Sequence, residues 1–341
     1  MPQVTLQPSG HGFPADTHET VLEAALRHGV CLPYGCRNGA CGACKGRVLS
    51  GQVSERAFQA HALSEVEQRE GYTLLCCAEP QGDVTIEVTE VPSTQTIQIK
   101  TLPCRVESIA RVHDVAILKL KIPAAERLLF RAGQYIDILM KDGKARSFSL
   151  ANAPHDDALL ELHIRHMPGG SFSEYVFTQM KEKEILRFKG PLGSFHLDED
   201  STRPVILLAS GTGFAPVKGI VEHAVHVGNS RPMVLYWGAR QRNDLYMYEL
   251  AEQWARELPW FSFVPVLSEP AAADNWTGRS GLVHQAVLDD FADLSAHEVY
   301  ACGAPVMVEA AHRAFTGERG LPGEAFHSDA FFLSTDNKAG K

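Results

Sequence analysis

Along the chain the spacing of apolar and polar residues changes twice. Residues 4–6 alternate as a short strand before a turn over 10–14. Val21, Leu22, Ala25 and Leu26 then recur at helical spacing, with Asp16 or Thr17 placed to cap the helix. Residues 33–46 are rich in glycine and cysteine and keep no period. Ser64-Glu65-Val66-Glu67 has the form of a capping box, and Gly71 that of a helix stop. Val84, Ile86 and Val88 alternate as a closing strand. This pattern predicts a small mixed sheet with one long wrapping loop over residues 1–93.

Residues 94–101 carry no helical period and follow Pro92, as a linker would. Over 102–199, alternating runs at 104–109, 115–122, 135–140 and 159–165 are broken by glycine and proline, which predicts an antiparallel β-barrel. Over 200–341 the rhythm becomes short apolar runs (205–209, 233–237, 261–267, 299–302) separated by helical stretches (217–226, 245–256, 305–314). That alternation predicts a parallel sheet with helices on both faces. The chain reads as multidomain, α+β followed by α/β, with no internal repeat.

Composition adds exclusions. At 341 residues and 45% hydrophobic, the chain has room for two or three ordinary cores. No run approaches the roughly 20 apolar residues of a membrane helix. The start, MPQVTLQPSG, has neither a basic nor an apolar signal region. These features point to a cytoplasmic protein without a membrane role, and a monomer is the default. A net charge of −9 argues against non-specific nucleic-acid binding. Residues 1–93 hold six Lys and Arg against eleven Asp and Glu. This is either a solvated acidic surface or a docking face for a basic partner.

The eight cysteines are clustered, which suits metal or redox chemistry better than a disulfide framework. Cys36, Cys41 and Cys44 are separated by four and two residues, and Cys76 follows after 31 more. Three thiolates so close in sequence converge only if the chain wraps tightly, which Gly35, Gly39 and Gly42 permit. Amide N–H groups then point at the sulfurs, and small Ala40 and Ala43 allow close approach. A zinc site is the competing reading, but such sites usually use a second short Cys/His arm, which is missing. The spacing resembles that of plant-type [2Fe–2S] ferredoxins, in which four thiolates hold two irons. The resemblance implies Cys36, Cys41, Cys44 and Cys76 as ligands, since Leu75-Cys76-Cys77-Ala78 matches the ferredoxin ending Leu-Cys-x-Ala, with Cys77 at its variable position. Cys31 and Cys104 read as small buried hydrophobes.

Arg146-Ser147-Phe148-Ser149 resembles the Arg-x-Tyr/Phe-Ser motif of ferredoxin–NADP reductase-like flavoproteins. The resemblance implies Arg146 on the cofactor's phosphates, where a planar fork suits paired oxygens. It implies Phe148 along the flavin ring and Ser149 as a catalytic hydrogen-bond donor to flavin N5. Gln134-Tyr135 precedes the motif. After it come His163-Ile164-Arg165 and Gly169-Gly170-Ser171-Phe172-Ser173, whose glycines before a helix would leave N–H groups for phosphate. Gly190-Pro191-Leu192-Gly193 closes the segment. Each glycine has the plainer reading of an ordinary turn. In the third segment Ser210-Gly211-Thr212-Gly213-Phe214-Ala215-Pro216 links a strand to a helix, with Pro216 expected as the first helical residue. It resembles the Gly-Gly-Thr-Gly-x-x-Pro loop of the same enzymes, with Ser210 replacing the first glycine. Tyr300-Ala301-Cys302-Gly303 resembles their Cys-Gly turn, which implies Cys302 near the nicotinamide. Otherwise Cys302 is a small residue packed at a strand end. Arg240 and Arg242 are candidates for a ribose 2′-phosphate, or simply exposed arginines.

Taken together, the three segments resemble the ferredoxin-fused flavoprotein reductases, the group that includes oxygenase reductase components and CDP-6-deoxy-glucoseen reductase. The implied folds are a β-grasp-like ferredoxin domain, a flavin-binding barrel and a nucleotide domain. The implied cofactors are a [2Fe–2S] cluster, FAD and NADH, with NADPH an alternative. Hydride would pass from the nicotinamide to FAD, and single electrons through the cluster to a protein acceptor, an oxygenase component or a sugar dehydratase. Two rivals are a stand-alone flavin or quinone reductase and a redox-sensing module without turnover. Phe331 and Phe332 would either approach the flavin or form an apolar edge strand.

Overall fold

The computed structural model describes residues 1–60, 62–91 and 97–331. They form two compact units, one of the residues before Ile97 together with those from Asp329 onward, and one of Ile97–Ser328. The first contains β1 (Gln3–Gln7), β2 (Gly12–Pro14), α1 (Val21–Arg27), β3 (Lys45–Ser50), β4 (Val53–Glu55), α2 (Glu65–Arg69), β5 (Tyr72–Leu74), β6 (Ala78–Pro80) and β7 (Val84–Glu87). Its main sheet runs β2-β1-β7-β3-β5, beside a β4-β6 pair. Val4 and Leu6 are fully buried while Gln3 and Gln7 face water, so period-2 alternation sets the face. β1 and β7 pair in parallel, with Val4 opposite Val84.

Two local expectations need correction. Residues 10–14 are more than a turn, because β2 pairs antiparallel with β1 to make a hairpin. The cap of α1 is Thr20, neither Asp16 nor Thr17. Its hydroxyl accepts from the Glu23 N–H at 3.2 Å, and the Glu23 carboxylate accepts from the Thr20 N–H at 2.9 Å. That reciprocal pairing satisfies two orphan donors, whereas Asp16 gives its N–H to Glu19 at 2.8 Å. The Ser64–Glu67 box forms as read and starts α2.

The second unit opens with β8 (Lys100–Val112), β9 (Val115–Lys121), β10 (Tyr135–Leu139), β11 (Ala145–Ser149), β12 (Leu160–Arg165), α3 (Ser171–Thr178) and β13 (Ile185–Leu192). The strands run β11-β10-β13-β8-β9-β12, all antiparallel. A bridge between Leu150 and Leu162 joins the two ends of the sheet and closes a barrel. Along β12, Leu160, Leu162 and Ile164 are buried in the barrel core, so Glu161, His163 and Arg165 lie on its other face. β8 begins at Lys100, opposite Gly190, and so takes in the end of the segment read as a linker. Cys104 lies in this core, and burial pushes its thiol up to about 12, as befits a packed hydrophobe.

The same unit continues with β14 (Val205–Ser210), α4 (Phe214–His226), β15 (Met233–Ala239), α5 (Tyr248–Glu257), β16 (Phe261–Leu267), β17 (Arg279–Ser280), α6 (Val283–Asp290), β18 (Glu298–Gly303), α7 (Pro305–Glu318) and β19 (Phe326–Ala330). The sheet runs β17-β16-β15-β14-β18-β19, with β14 parallel to both β15 and β18. The chain builds outward from β14 in one direction and then returns to its other side. The reversal makes a crevice at the carboxyl ends of β14 and β18, where open α/β sheets bind ligands. Pro216 is the third residue of α4, not its first, because the helix already starts at Phe214. α5 begins at Tyr248 after a short 3-10 turn at Arg242–Asp244. α6, short and with four buried residues, is an element the periodicity did not indicate. Phe331 directly follows the edge strand β19, and Phe332 lies outside the described residues.

Candidate functional site

In the first unit the loop between α1 and β3 folds its backbone toward sulfur. Cys36 Sγ accepts from the N–H groups of Ala40 and Cys41, each at 3.2 Å. Cys41 Sγ accepts from Cys36 at 3.4 Å and from Ala43 at 3.5 Å. The path depends on Gly39, which has φ +74°, and a Cβ there would meet Phe58 Cβ at 2.6 Å and Cys77 Sγ at 2.7 Å.

The thiols interact in pairs. Cys36 pairs with Cys41 and with Cys76, and Cys44 pairs with Cys76. The hydrogen bond to Cys41 draws the Cys36 thiol down, but Cys76 and burial outweigh it and raise the net value. Cys41 is raised well above the usual range by Cys36 and burial, and Cys44 by Cys76 and burial. Protein groups alone therefore disfavour the thiolate forms, and a cationic centre would reverse that balance. Among the described residues no three His, Cys, Asp or Glu gather as a site for a metal ion. The four thiols, linked in the order Cys41, Cys36, Cys76 and Cys44, instead suit a two-iron cluster with two soft thiolates per iron. Cys77 Sγ lies 3.7 Å from Cys76 Sγ and turns to the Ala57 carbonyl at 3.9 Å.

In the barrel, β11 carries Arg146 to Ser149 on alternating faces. Arg146 Nη2 reaches Ser171 Oγ at 3.4 Å, which brings the arginine to the first residue of α3. Phe148 lies against Phe172, ring centroids 5.2 Å apart. Gly170 caps α3 without a side-chain hydrogen bond, so first-turn amides face outward beside a guanidinium, a combination suited to phosphate. Three hydroxyls differ in use. Ser147 donates to Asp137 at 2.7 Å, Ser173 stitches its own turn to Met167 and Gly170, and Ser149 is buried at the strand end.

At the crevice of the parallel sheet, two turns lock together. A Cβ on Gly213 would collide with the Cys302 carbonyl, and Ser210 Oγ accepts from the Ala304 N–H at 2.9 Å. Ser210 has φ −130°, extended backbone that any residue adopts, so serine replaces the family's glycine without strain. Its hydroxyl ties the Ser210–Gly213 turn to the Cys302–Gly303 turn. Thr212 is half-buried in the same turn. Trp237 Nε1 donates to the Gly211 carbonyl at 3.0 Å and stacks on Phe214 at 4.0 Å, supporting the turn from below. Arg240 is exposed at the end of β15. Arg242 lies over the Tyr248 ring at 3.5 Å and pairs with Glu249 at 3.2 Å.

His163 stands apart from these surfaces. Its side chain is fully buried, and both ring nitrogens are engaged by Tyr246 and Glu161. The His163 side chain, expected at the cofactor, is thus hydrogen-bonded within the protein. Arg165 spans Asp114 at 3.4 Å and Asp244 at 3.6 Å and lies beside Gly211. Glu161 and Lys218 went unnoticed in the sequence. The available signal was the strict alternation of Leu160-Glu161-Leu162-His163-Ile164-Arg165.

This architecture is that of an iron–sulfur flavoprotein oxidoreductase. Three family models match in order: a 2Fe-2S iron-sulfur cluster binding domain over residues 4–81, an oxidoreductase FAD-binding domain over 103–197 and an oxidoreductase NAD-binding domain over 207–313. The CDP-6-deoxy-L-threo-D-glycero-4-hexulose-3-dehydrase reductase of Yersinia pseudotuberculosis serotype I is 41% identical, over 97% of this chain and 98% of its own length. Terephthalate 1,2-dioxygenase reductase component 1 of Comamonas sp is 34% identical, over 97% and 98%. The Amycolatopsis cytochrome P450 reductase GcoB superposes with a TM-score of 0.79 at 35% identity, covering 97% of this chain and 99% of that one. The chain belongs to the ferredoxin-fused flavoprotein reductases, and it transfers electrons from NAD(P)H through FAD and a [2Fe–2S] cluster to a protein acceptor. Among the described residues, no helix is long and apolar enough to cross a membrane.

Proposed function

We propose that this chain is a cytoplasmic, monomeric reductase that uses NADH and serves a sugar-nucleotide dehydratase. When bound, FAD accepts a two-electron hydride and the [2Fe–2S] centre passes electrons on singly. Cys36, Cys41, Cys44 and Cys76 would hold the cluster, with the loop amides damping its negative charge. Arg146 and the first turn of α3 (Gly170, Ser171, Phe172) would hold the FAD diphosphate. Phe148 and Ser149 would border the flavin ring, with Ser149 offering a hydrogen bond at N5. Gly211, Thr212 and Gly213 would let a nucleotide diphosphate approach the start of α4, and Cys302 and Gly303 would border the nicotinamide.

The observation that carries this reading is the packing of Gly213 on the Cys302 carbonyl at the sheet's reversal point. It brings the Gly211–Gly213 turn and the Cys302 turn into one crevice, where the first would take a diphosphate and the second would border the nicotinamide. NADH is favoured because Arg242, a candidate for a 2′-phosphate, is already committed to Tyr248 and Glu249. Its own N–H also faces the Asp274 carboxylate at 3.4 Å, a poor setting for added negative charge. The dehydratase acceptor is favoured by the 41% identity to the Yersinia reductase, against 34% to the dioxygenase reductase.

Anaerobic absorbance titration with NADH and then NADPH, with iron and flavin quantified, tests the donor and the electron path. Bleaching of flavin and cluster bands by NADH at lower concentration than NADPH is expected, with about two irons per chain. Preference for NADPH would overturn the donor assignment. Mixing the reduced protein with a dehydratase or an oxygenase component, at several salt concentrations, then tests the acceptor. Fast, salt-independent reduction of free flavins or quinones with neither partner served would favour the stand-alone reductase.

A further inference from the structure

The outward face of β12 is a continuous polar stripe whose three side chains each reach a different part of the nucleotide-binding segment. Glu161 meets Lys218 of α4 at 3.2 Å, and Lys218 also donates to the Ala151 carbonyl at 3.3 Å and pairs with Glu222 at 3.0 Å. His163 meets the Tyr246 hydroxyl at 2.7 Å and Glu161 at 2.9 Å. Arg165 meets the Asp244 carboxylate at 3.6 Å and the Asp244 carbonyl at 3.4 Å. Tyr246 in turn stands edge-on to Trp237 at 5.5 Å, and Trp237 holds the Gly211 carbonyl. A short chain of contacts therefore runs from the barrel to the Gly-rich turn.

The protons in this chain have one consistent arrangement. Burial works against ionisation of Glu161, but the His163 hydrogen bond and Lys218 overcome it and hold the carboxyl at about 2. Burial also lowers His163, against the pull of Glu161, so its imidazole is neutral. An ionised Glu161 can only accept, so His163 Nε2–H donates to it. Nδ1 then carries the lone pair and accepts from the Tyr246 hydroxyl. Each partner orients the next, as in other carboxylate–histidine–hydroxyl relays.

We propose that this stripe is a positioning device for hydride transfer, in which the Tyr246–His163 hydrogen bond fixes where the Gly211–Gly213 turn presents the nicotinamide to the flavin barrel. None of these side chains is assigned contact with substrate. They act through Trp237 and the turn, so a small displacement is amplified into a poorer approach of the reacting atoms. The inference rests on the hydride-transfer function stated above.

The test is Tyr246→Phe, which removes a single oxygen. In anaerobic stopped-flow experiments the flavin-bleaching rate at saturating NADH should fall about tenfold to a hundredfold, the scale expected for a misplaced reactant. NADH affinity should change less than about twofold, as for a loss felt mainly in the transition state. A readout independent of turnover is the long-wavelength charge-transfer absorbance formed with a non-reducing tetrahydro analogue of NADH, which should weaken or shift. His163→Gln retains a donor and an acceptor and should keep more of the rate than His163→Leu. The double variant Tyr246→Phe/His163→Leu should be no slower than the slower single variant. Wild-type rate and an unchanged charge-transfer band in Tyr246→Phe, with only a lower melting temperature, would overturn the proposal, as would multiplicative losses in the double variant. Should His163→Leu fail to fold, the band of Tyr246→Phe decides. A wild-type flavin that NADH does not bleach would instead sink the hydride reading, and the inference with it, before any variant is compared.

Discussion

Arg231 and Glu298 form an ion pair at the amino end of the parallel sheet, with Nη1 and Oε2 3.2 Å apart and side chains only 6% and 7% exposed. Glu298 also accepts from the Tyr300 hydroxyl at 3.3 Å, and Arg231 donates to the Ser201 carbonyl at 3.1 Å. Among the described residues, Arg231 Nε and Nη2 are buried and find no hydrogen-bond partner, so the guanidinium relies heavily on Glu298 for compensation. Glu298→Leu strands that charge in a dry site, which should cost about 3–5 kcal/mol. For a unit of this size the loss corresponds to a melting temperature lower by about 10 °C. Replacing both partners by apolar groups removes the stranded charge, so Arg231→Met/Glu298→Leu should recover most of the stability. Melting followed by circular dichroism and flavin release, on the flavin-loaded protein, measures both. Because Glu298 starts β18 and Cys302 lies at its other end, the NADH-dependent bleaching rate of the folded variants should stay within about twofold of wild type, as for surface or structural changes remote from a site. A double variant as unstable as the single would refute the argument that charge burial, and not lost packing, sets the cost.

Three other outcomes are expected. Cys76→Ser should lose the cluster's visible absorbance and its iron, while Cys77→Ser should retain about two irons per chain; equal losses would reassign the fourth ligand. Gly213→Ala should keep its flavin but slow NADH-dependent bleaching on the order of a hundredfold, because the added methyl displaces the Cys302 turn; a wild-type rate would mean the turns separate freely. Glu161 is held at about 2 in the fold against an ordinary 4.5, a difference of about 3 kcal/mol. Since the folded value is depressed, the wild-type advantage over Glu161→Gln should be complete above about pH 4.5 and fade as pH falls toward 2, as linkage requires. Urea midpoints at pH 7, 4 and 3 check this, and an advantage that grows on acidification would contradict it.

The sequence was most legible where chemistry forces a rare pattern. Four cysteines at ferredoxin spacing mark their loop because few other backbones bring such residues together. The barrel and the parallel sheet are visible because Leu160, Leu162 and Ile164 alternate, whereas the run at 205–209 is continuously apolar and buried. Less legible were features decided by competition between near-equal local options. Asp16, Thr17 and Thr20 are all acceptable caps, and a glutamate stands three residues after both Asp16 and Thr20, so only the start of the helix at Val21 singles out Thr20. α6 presents too short a periodic stretch to separate from a loop. His163 lies in a motif associated with cofactor binding, and only the partners brought to it by Glu161 and Tyr246 reveal where its ring is used. Lys218 was hidden for the same reason, since its partner comes from a strand more than fifty residues earlier.

The parallel pairing of β1 with β7 also bears on how the protein is made. Val4 leaves the ribosome early, yet its partner Val84 is synthesised 80 positions later, a wait of roughly 4–16 s at ordinary translation rates. Throughout that interval β1 can pair only with β2, and its other edge stays open to chaperones or to a neighbouring nascent chain. Cys36, Cys41 and Cys44 emerge within the same interval, before Cys76 and before the sheet that frames them can close. Iron delivered then would meet an incomplete set of thiols on an unfinished scaffold. Completion of β7 is thus expected to precede cluster insertion, and a culture starved of iron during a translation burst should accumulate folded, flavin-loaded protein that still takes up iron afterwards.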